Sequence, residues 1–443
     1  MGAMISKRFD RIDSTRSAAS AVAVPRACPV TTTSALAPAR VVAARNAVYL
    51  VFAMNGIAFA TWASRIPDVK AALGLSAGQL GLTLLCLSAG SLVGLPASGW
   101  LSSRLGGAGS VRLGLGTLLI GLIVISVGVD GLGSRWALAA GLFAVGLGVG
   151  IWDVGMNLEG ANVERLLGRA IMPWFHAAFS GGTVVAALFG ALMSRLDVPV
   201  AAHLIPIGVM IVVAGAWGVR DFLPRGRQID GDAEVSPAAE SPAAQGESSA
   251  GTIGVLQAWR EPRTLLIGVM TFVAAFTEGT ANDWLSVSFV EGYHLEPWAG
   301  VLAMAVFLSF MTLGRILGTG LLDRYGRVPV LRVAFVTAGA GSLLVVFGGS
   351  ALAYLGAAIW GIGISLGFPV GMSAAADDPL RAAARISVVA TIGYTAFIAG
   401  PPLLGFLGDH VGMLHALLIV GAMLVIALLT VTAAREPENV RPG

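Results

Sequence analysis

The stretch SLVGLPASGWLSSRLGG (residues 91–107) recurs in related form as MTLGRILGTGLLDRYGR (residues 311–327), 220 residues further along the chain. The alignment pairs two glycines, a leucine and an arginine: Gly94 with Gly314, Gly106 with Gly326, Leu101 with Leu321 and Arg104 with Arg324. The match continues on both sides: Trp62 and Ser64 with Trp284 and Ser286 at an offset of 222, and residues 155–157 with residues 371–373. This internal repeat predicts two halves of similar fold.

The composition of the chain is that of a membrane protein. Its 443 residues are 56% hydrophobic and 12% charged, whereas soluble domains average about 45–50% apolar and about 25% charged residues. A net charge of +3 without a basic patch argues against nucleic-acid binding. The two cysteines, Cys28 and Cys86, supply neither a disulfide framework nor a cysteine-rich metal site. We therefore expect no metal and no cofactor.

Twelve apolar runs are long enough to cross a bilayer as helices. Such a helix needs about 20 apolar residues to span a hydrocarbon core of about 30 Å. The sequence thus predicts an all-α integral membrane protein with twelve transmembrane helices in two pseudo-symmetric bundles of six. The predicted spans are 46–64, 79–101, 113–129, 136–158, 171–194, 200–219, 264–288, 297–320, 329–349, 351–373, 386–407 and 411–433.

Polar segments flank and separate the two bundles. Residues 1–40 lack the apolar core of a signal peptide, which predicts a disordered tail. The stretch VSPAAESPAAQGESSAG (residues 235–251) cannot form a packed core, which predicts a flexible linker. The predicted domains are a tail at 1–40, an N-terminal bundle at 41–222, a linker at 223–258, a C-terminal bundle at 259–434 and a tail at 435–443.

The distribution of basic residues predicts how the chain is oriented. Eighteen arginines fall in segments on the side of the N-terminus, against four basic residues on the other side: Arg65, Lys70, Arg135 and Arg195. Because short basic loops stay in the cytoplasm, we expect both termini and the linker to be cytoplasmic. The expected location is a cell (inner) membrane, and the preference for Arg over Lys fits a GC-rich bacterial genome.

The second copy of the repeat contains the pattern Leu321-x-Asp323-Arg324-x-Gly326-Arg327, between spans 8 and 9. It resembles the signature loop of the major facilitator superfamily (MFS). The first copy, Gly99-x-Leu101-x-Ser103-Arg104-x-Gly106, has Ser103 where the family has Asp. Residues 152–182 and 277–284 resemble the YbjJ-like branch of transporters, which is related to fucose permeases. The resemblance covers about residues 45–433 and implies two six-helix halves that rock about a midplane site.

The signature loops are candidate gating elements. A carboxylate at Asp323 can accept hydrogen bonds from a neighbouring helix N-terminus, and Arg324 and Arg327 can pair with acids or lipid phosphates. Ser103 carries no charge, so the first loop should bind its neighbouring helix more weakly than the second. The alternative is that both loops are glycine turns with topology-setting arginines, and the two readings are compatible. The predicted gating residues are Gly99, Arg104, Gly106, Asp323, Arg324, Gly326 and Arg327.

Five ionisable side chains lie well inside the predicted spans: Asp153, His176, Glu278, Asp283 and Arg315. A charge at the bilayer centre costs roughly 2.5–3.5 kcal/mol by insertion scales, so each needs a partner or a water-filled cavity. We expect Arg315 to be a charge partner for a nearby acid or for the Asp323 cluster, with substrate binding as the alternative. Asp153 and His176 lie at similar depth on consecutive helices, which favours a contact between them.

Amides and carboxylates at helical spacing are candidate substrate ligands. Asp153 and Asn157 are four residues apart and share a helix face, as do Glu278 and Asn282. Such pairs supply donors and acceptors together, which suits a hydroxyl-rich solute. The alternative is hydrogen bonding between helices, worth about 0.6 kcal/mol on average. The predicted substrate-binding residues are Asn55, Asn157, Glu278, Asn282 and Tyr394.

Four of these side chains are also candidates for proton coupling: Asp153, Glu278, Asp283 and His176. A carboxyl group exposed alternately to each side of a membrane can carry a proton in each cycle, and a histidine can titrate near neutrality. A hydrogen-bonded structural histidine is the alternative for His176.

For the remaining polar and aromatic residues, the sequence favours structural roles. Trp62 and Trp284 occupy equivalent outer positions and are expected in the interfacial belt, with stacking on a sugar ring as the alternative. Charged residues in loops or at helix ends are expected to be solvated topology residues: Asp68, Lys70, Glu159, Glu164, Asp377 and Asp378. Glu159 can instead line a cytoplasmic vestibule.

Together these features predict a secondary transporter that moves a sugar-like solute or another polar metabolite by alternating access, driven by protons. The chain has no Walker-type loop and no arrangement of nucleophile and base, so we expect neither a pump nor an enzyme. The alternatives are an efflux transporter of amphipathic compounds and a transporter-like receptor that does not transport. The expected partners are a small-molecule substrate, protons and the lipid bilayer, with no nucleic acid, and the protein is expected to be a monomer.

Overall fold

The computed structural model describes residues 38–168, 171–223, 249–378 and 380–436. Within these ranges every regular element is a helix and no strand occurs. The predicted tails and most of the predicted linker lie outside the described residues, at 1–37, 224–248 and 437–443. The predicted all-α membrane fold is confirmed.

Eleven helices in the described ranges are long and apolar enough to cross a membrane. Their bounds, in span order, are Pro38–Ala63 (1), Ala77–Ser126 (2 and 3), Arg135–Leu167 (4), Met172–Arg195 (5), Val200–Gly218 (6), Pro262–Tyr293 (7), Pro297–Tyr325 (8), Arg327–Phe347 (9), Gly349–Ile364 with Gly367–Ala375 (10), Ala382–Val411 (11) and Met413–Ala416 with Leu418–Thr430 (12). Two short helices, Ile66–Ala72 and Ser249–Ala258, follow span 1 and precede span 7.

The helix Ala77–Ser126 contains two spans joined at Gly106. Its 50 residues would extend about 75 Å at about 1.5 Å per residue, more than twice a hydrocarbon core of about 30 Å. Gly106 has φ 74° and ψ 169°, which is not helical, and the chain changes direction there. The residues that the structure describes therefore form twelve spans.

Gly326 repeats this turn in the second half. Its φ of 75° and ψ of 167° match those of Gly106, the residue with which the sequence repeat pairs it. Only glycine adopts this region without strain. Spans 2–3 and 8–9 are therefore joined by the same backbone turn, as expected of two pseudo-symmetric bundles.

The helix packing within each half also repeats. Gly146 of span 4 lies against the backbone of span 2 at Leu87, and Gly361 of span 10 lies against the backbone of span 8 at Phe307. Leu87 and Phe307 are 220 residues apart, which is the offset of the repeat. In the first half, Gly56 of span 1 lies equally close to the backbone of span 5 at Phe179. Small residues allow this close approach of backbones.

Burial separates the inner spans from those that face lipid. In spans 6 and 12, 33% of the most apolar window is buried within the protein, compared with 72% in span 7. Spans 6 and 12 expose large apolar side chains such as Val213 and Leu429. Span 7 is therefore an inner helix, which places its polar residues inside the protein.

The expectation that Trp62 and Trp284 form the interfacial belt is wrong. Their exposed fractions are 2% and 0%, because both side chains are packed inside the bundles. Their burial also gives no support to stacking on a sugar ring. Four other tryptophans lie near helix ends and are more than half exposed, as belt residues are: Trp100, Trp136, Trp174 and Trp217.

Candidate functional site

The two halves are joined on one face of the molecule. The face where span 1 begins is here called the terminal face, and the face where span 1 ends is the opposite face. On the opposite face, Lys70 forms an ion pair with Glu291 of the second half. Asp409, at the end of span 11, accepts hydrogen bonds from the Ser76 hydroxyl at 3.0 Å and the Gly78 N–H at 2.9 Å. These two interactions are called the opposite-face contacts.

Asp409 binds at the N-terminus of span 2. There Ser76 and Gln79 form a capping box, in which each side chain accepts a hydrogen bond from the other residue's backbone N–H. A carboxylate is favoured at this position because helix N-termini carry partial positive charge. A helix of one half is therefore capped by an acid of the other half.

A second junction on the opposite face joins spans 5 and 8. The Arg195 guanidinium lies over the Trp298 ring, 4.9 Å from its centroid. Trp298 is 220 residues from Gly78, so the repeat relates this junction to the one at Asp409. Equivalent places on the two halves thus use different chemistry, a cation–π contact in one and a hydrogen-bonded carboxylate in the other.

The ion pairs on the terminal face stay within one half, among the residues that the structure describes. Arg40 pairs with Asp221 in the first half, at 3.1 Å. In the second half, Asp377 pairs with Arg263 at 2.6 Å and with Arg327 at 2.7 Å. No described ion pair crosses between the halves on this face, in contrast to the opposite face.

The central polar feature is an ion pair between spans 7 and 8. Arg315 Nη2 donates to both carboxylate oxygens of Glu278, at 3.0 Å each. Arg315 Nε also donates to the Ser365 carbonyl oxygen of span 10, at 3.4 Å. The two side chains are 31% and 19% exposed, so solvent still reaches the pair. This arrangement neutralises two charges that would be costly in a membrane.

His176 of span 5 faces this pair from the other half. Its ring packs edge-on against Phe52 at 5.2 Å, and Arg315 lies close enough to act on it electrostatically. No hydrogen bond joins His176 to Asp153, so the expected contact between them is not formed. The reason is topological, because span 5 packs mainly against spans 1 and 8 and scarcely touches span 4.

The two amides of the first half are bonded within that half. Asn157 Nδ2 donates to the Asp153 backbone oxygen at 2.9 Å, and its amide also lies within reach of the Asp153 carboxyl group. Asn55 Nδ2 donates to the Met156 sulfur at 3.4 Å and is 2% exposed. Asn55 therefore has the helix–helix hydrogen bond that the sequence left as an alternative.

Asp283 and Glu278 face different directions from span 7. Five residues turn a helix by about 140° at about 3.6 residues per turn. Asp283 forms no ion pair or hydrogen bond with a described residue, and it is half-buried. Asn282 is 8% exposed, and its Oδ1 has no hydrogen-bond partner. Tyr394 of span 11 is half-buried, with its ring between Phe368 and Phe397.

The second signature loop binds to its own half. The Arg327 side chain contacts Asp377, Ser373 and Glu436, which joins the start of span 9 to the ends of spans 10 and 12. Arg324 lies over the Tyr325 ring at 5.2 Å. In the first loop, Arg104 lies over the Trp100 ring at 4.4 Å, and Gly99 belongs to the last turns of span 2.

Asp323 does not accept the hydrogen bonds expected from a neighbouring helix. It is exposed and has no hydrogen bond or ion pair with a described residue. The N-terminus of span 5 is occupied by Glu164, which accepts the N–H groups of Ile171 and Met172 at 2.7 Å each. In this conformation Glu164, an acid of the first half, therefore binds at the N-terminus of span 5, and Asp323 of the second half does not.

The six charged residues that the sequence suggested to be solvated have structural partners instead. Asp68, Lys70 and Asp378 form ion pairs, and the other three are held at helix ends. Asp377 is 6% exposed as a side chain and binds two arginines. Glu159 is 5% exposed and accepts the Leu223 N–H at 2.6 Å. Glu164 is the cap of span 5. Each of these three lies where helix ends of one half converge, an arrangement that spacing along the sequence does not show.

Two six-helix bundles, joined on one face and carrying charged and amide side chains within their spans, define a membrane transporter rather than an enzyme. The family model of the Major Facilitator Superfamily matches residues 47–394 and 302–443. The chain belongs to this superfamily, and it is a multi-pass membrane protein that binds a small molecule within the membrane.

Relatives of similar length support this assignment. The chain is 31% identical to an uncharacterised transporter of Sinorhizobium fredii over 86% of its length and 95% of the relative's. It is 29% identical to an uncharacterised MFS-type transporter of Yersinia pestis, over 87% of its length and 93% of the relative's. It is also 26% identical to the membrane protein MosC of Rhizobium meliloti, over 86% and 88% of the two chains.

Solved structures share the fold at low sequence identity. A variant of the nucleoside transporter NupG has a TM-score of 0.69 at 14% identity, covering 89% of this chain and 99% of that one. The transporter FucP in its outward conformation has a TM-score of 0.59 at 14% identity, covering 88% and 98% of the two chains.

Proposed function

We propose that this protein is a secondary active transporter that works by alternating access. The observation that carries the proposal is the difference between the two faces. On the opposite face, an ion pair and a helix cap join the halves, and on the terminal face the described ion pairs do not cross between them. Such a state releases or accepts solute on the terminal face, and the transport cycle requires a second state in which the opposite face opens.

The proposed solute is a small polar metabolite of sugar-like chemistry. Arg315, Glu278 and Asn282 of the second half and Asn157 of the first half are the proposed ligands, because they offer both donors and acceptors within the spans. Tyr394 adds an aromatic face. Asn55 is the weakest of the predicted ligands, since it is buried and already bonded to Met156. Proteins of the same fold include a nucleoside transporter and a fucose:proton symporter.

Proton coupling is proposed to depend on Asp283 and Asp153 rather than on Glu278. Glu278 is held by two hydrogen bonds from Arg315, so its negative charge is balanced in this state. Asp283 has no described partner, and Asp153 has only the neighbouring Asn157 amide. A carboxyl group without a cation is the group that gains most from binding a proton in a membrane. His176 stays a candidate for a structural or relay role.

The test uses the full chain in proteoliposomes. Sugars and nucleosides are first screened by thermal shift, and the solutes that stabilise the protein are then used for uptake. We expect Asp283→Asn and Asp153→Asn to lose accumulation driven by a pH gradient while they keep counterflow, because an amide cannot carry the proton. Asp197→Asn, in an exposed loop, is the matched control and should behave as wild type.

The same measurements separate transport from the alternatives. A receptor would bind solute without counterflow, and an efflux transporter would respond to amphipathic cations rather than to sugars or nucleosides. If Glu278→Gln alone abolished pH-driven accumulation and the two aspartate variants retained it, the assignment of coupling to Asp283 and Asp153 would be wrong.

We also propose how the protein is oriented in the membrane and to which branch of the superfamily it belongs. Both termini are assigned to the cytoplasm, because the sequence has eighteen arginines in the segments predicted on the side of the N-terminus, against four basic residues in the others. The protein is assigned to a bacterial inner membrane as a monomer. The stretches at 152–182 and 277–284 support a place in the YbjJ-like branch. Fusion of a reporter that is active only in the cytoplasm to the C-terminus and to the loop after span 1 tests the orientation.

A further inference from the structure

The central ion pair has no net charge but still presents hydrogen-bond donors. Arg315 uses Nη2 for Glu278 and Nε for the Ser365 carbonyl. Its Nη1 forms no hydrogen bond with a described residue, and the side chain is 31% exposed. A guanidinium has five N–H donors in a fixed plane, so the two N–H groups of Nη1 have no described acceptor.

The other ionisable groups around this pair add no unpaired cation. Of the other ionisable side chains that the sequence places well inside the spans, His176 on span 5 lies within electrostatic reach of Arg315, and the remaining two are Asp153 on span 4 and Asp283 on span 7. Two of the three are acids. A neutral oxygen can therefore accept from Arg315 without disturbing Glu278. A carboxylate or phosphate would compete with Glu278 for the same guanidinium and would place a second negative charge beside it.

From this balance we propose that the site selects neutral solutes rich in hydroxyl or carbonyl oxygens and rejects carboxylates and phosphates. Glu278 is the residue that sets this choice, because its own carboxylate already accepts from Arg315 Nη2 with both oxygens and balances the guanidinium charge. This inference rests on the proposed transport function and adds the charge class of the substrate.

Removing the Glu278 charge should turn the site into one that accepts anions. In Glu278→Gln, Arg315 loses its carboxylate and leaves a cation in a low-dielectric setting, where an anion from solution can replace it. The double variant Glu278→Gln/Arg315→Gln has neither charge and serves as the matched control. The exchanged pair Glu278→Arg/Arg315→Glu keeps the balance and should again refuse anions.

Sulfate is the first probe, because its use does not require the substrate to be known. The purified full chain is titrated with sodium sulfate against sodium chloride at equal ionic strength, and the melting temperature is followed. We expect saturable stabilisation of Glu278→Gln at a sulfate concentration at least about tenfold lower than for wild type, and no such gain in the double variant. Size-exclusion chromatography shows which variants are folded.

Counterflow with matched solutes is the second arm. Glucose and uridine are compared with glucuronate and uridine monophosphate in wild type, and we expect only neutral members to exchange. Exchange of an anion without its neutral partner would overturn the inference and leave the transport function standing. If no solute moves, the transport proposal fails, and the sulfate arm still decides the charge inference. Equal sulfate binding by wild type and folded Glu278→Gln would also overturn it.

Discussion

Among the carboxylates inside the spans, the partner rather than the depth decides what each can do. Glu278 is near the middle of span 7, but its charge is balanced by Arg315. Asp283, five residues later, has no described partner. The same helix therefore presents one acid that is fixed by an arginine and another that is available for protonation.

The pair should show strong coupling in a double-mutant cycle. We expect Arg315→Gln to destabilise the protein by about 1–3 kcal/mol, between the costs of breaking an exposed and a buried pair, because it leaves Glu278 without a partner. Adding Glu278→Gln should recover most of this loss. The measurement is thermal unfolding of the purified protein in detergent. Equal and additive effects of the two substitutions would mean that the ion pair does not stabilise the fold.

The sequence identified these residues but could not give their partners. Glu278, Asp283 and Arg315 stood out because a charge in an apolar run is costly. Which acid meets Arg315 depends on how spans 7 and 8 are rotated against each other, and apolar runs that are hydrophobic on all sides do not record that rotation. The contact expected between Asp153 and His176 failed for a related reason, since helices consecutive in sequence are not always packed together.

At the level of helices, Glu261 links the starts of spans 7 and 11. Its carboxylate accepts hydrogen bonds from Arg385 at 2.6 Å and from Arg381 at 2.8 Å, and also from the Thr264 hydroxyl. Together these hydrogen bonds, that of Arg385 first, lower the pKa of Glu261 from 4.5 to about 2, against a smaller opposing effect of burial. The folded state therefore favours the ionised form.

The lowered pKa of Glu261 makes the stability of the protein depend on pH. The stabilisation by Glu261 is fully present above its ordinary pKa of 4.5 and is lost as pH falls from there through about 2. We expect wild type to lose more thermal stability than Glu261→Gln between pH 6 and pH 3, which are approximate limits on either side of the ordinary value. Melting curves across this range provide the check. Parallel curves for the two proteins would contradict the assignment.

The turn at Gly326 should not accept a side chain. Alanine at φ 75° is expected to cost about 1–3 kcal/mol, because this backbone region is strained for any residue other than glycine. Gly320, in the preceding helix, has open space where a Cβ would lie. Gly320→Ala should be neutral or slightly stabilising, so it is the matched control in the same thermal-unfolding assay. Equal melting temperatures for the two variants would refute the turn argument.

Much of the helical framework could be predicted, because span length follows from bilayer thickness. The predicted spans at 79–101 and 113–129 stop where the apolar run weakens, whereas the helix continues through the polar residues near Arg104 and covers Ala77–Ser126. The apolar run predicts which residues lie in the lipid. The helix itself extends beyond that run, until a residue such as Gly106 turns the chain.

For the whole molecule, the opposite-face contacts hold the observed state. An exposed ion pair contributes about 0.2–1 kcal/mol and a carboxylate at a helix N-terminus about 0.3–1 kcal/mol. Lys70→Ala combined with Asp409→Asn should therefore raise the population open on that face by about twofold to thirtyfold. Distances between spin labels placed across the opposite face measure this population. Glu296→Gln is the matched control, since Glu296 lies exposed on the same face and forms no ion pair with the described residues.

The same distance measurement shows which contact keeps the opposite face closed. If the double variant kept the wild-type distance distribution, then the Arg195–Trp298 junction and apolar packing would suffice to hold this face closed. If the distribution shifted only with Asp409→Asn, the helix cap rather than the Lys70 pair would be the controlling contact.

The close approach of spans 1 and 5 at Gly56 has a consequence for engineering new cargo specificity. The 222-residue offset places Glu278 of the second half where the first half has Gly56, and any side chain at Gly56 would overlap the Phe179 carbonyl. The two halves have thus diverged at this position: the first half uses it for close helix packing, and the second half uses it for a charged side chain in the central ion pair. Libraries that seek altered cargo should vary spans 7 and 8, and leave the glycine of span 1 untouched.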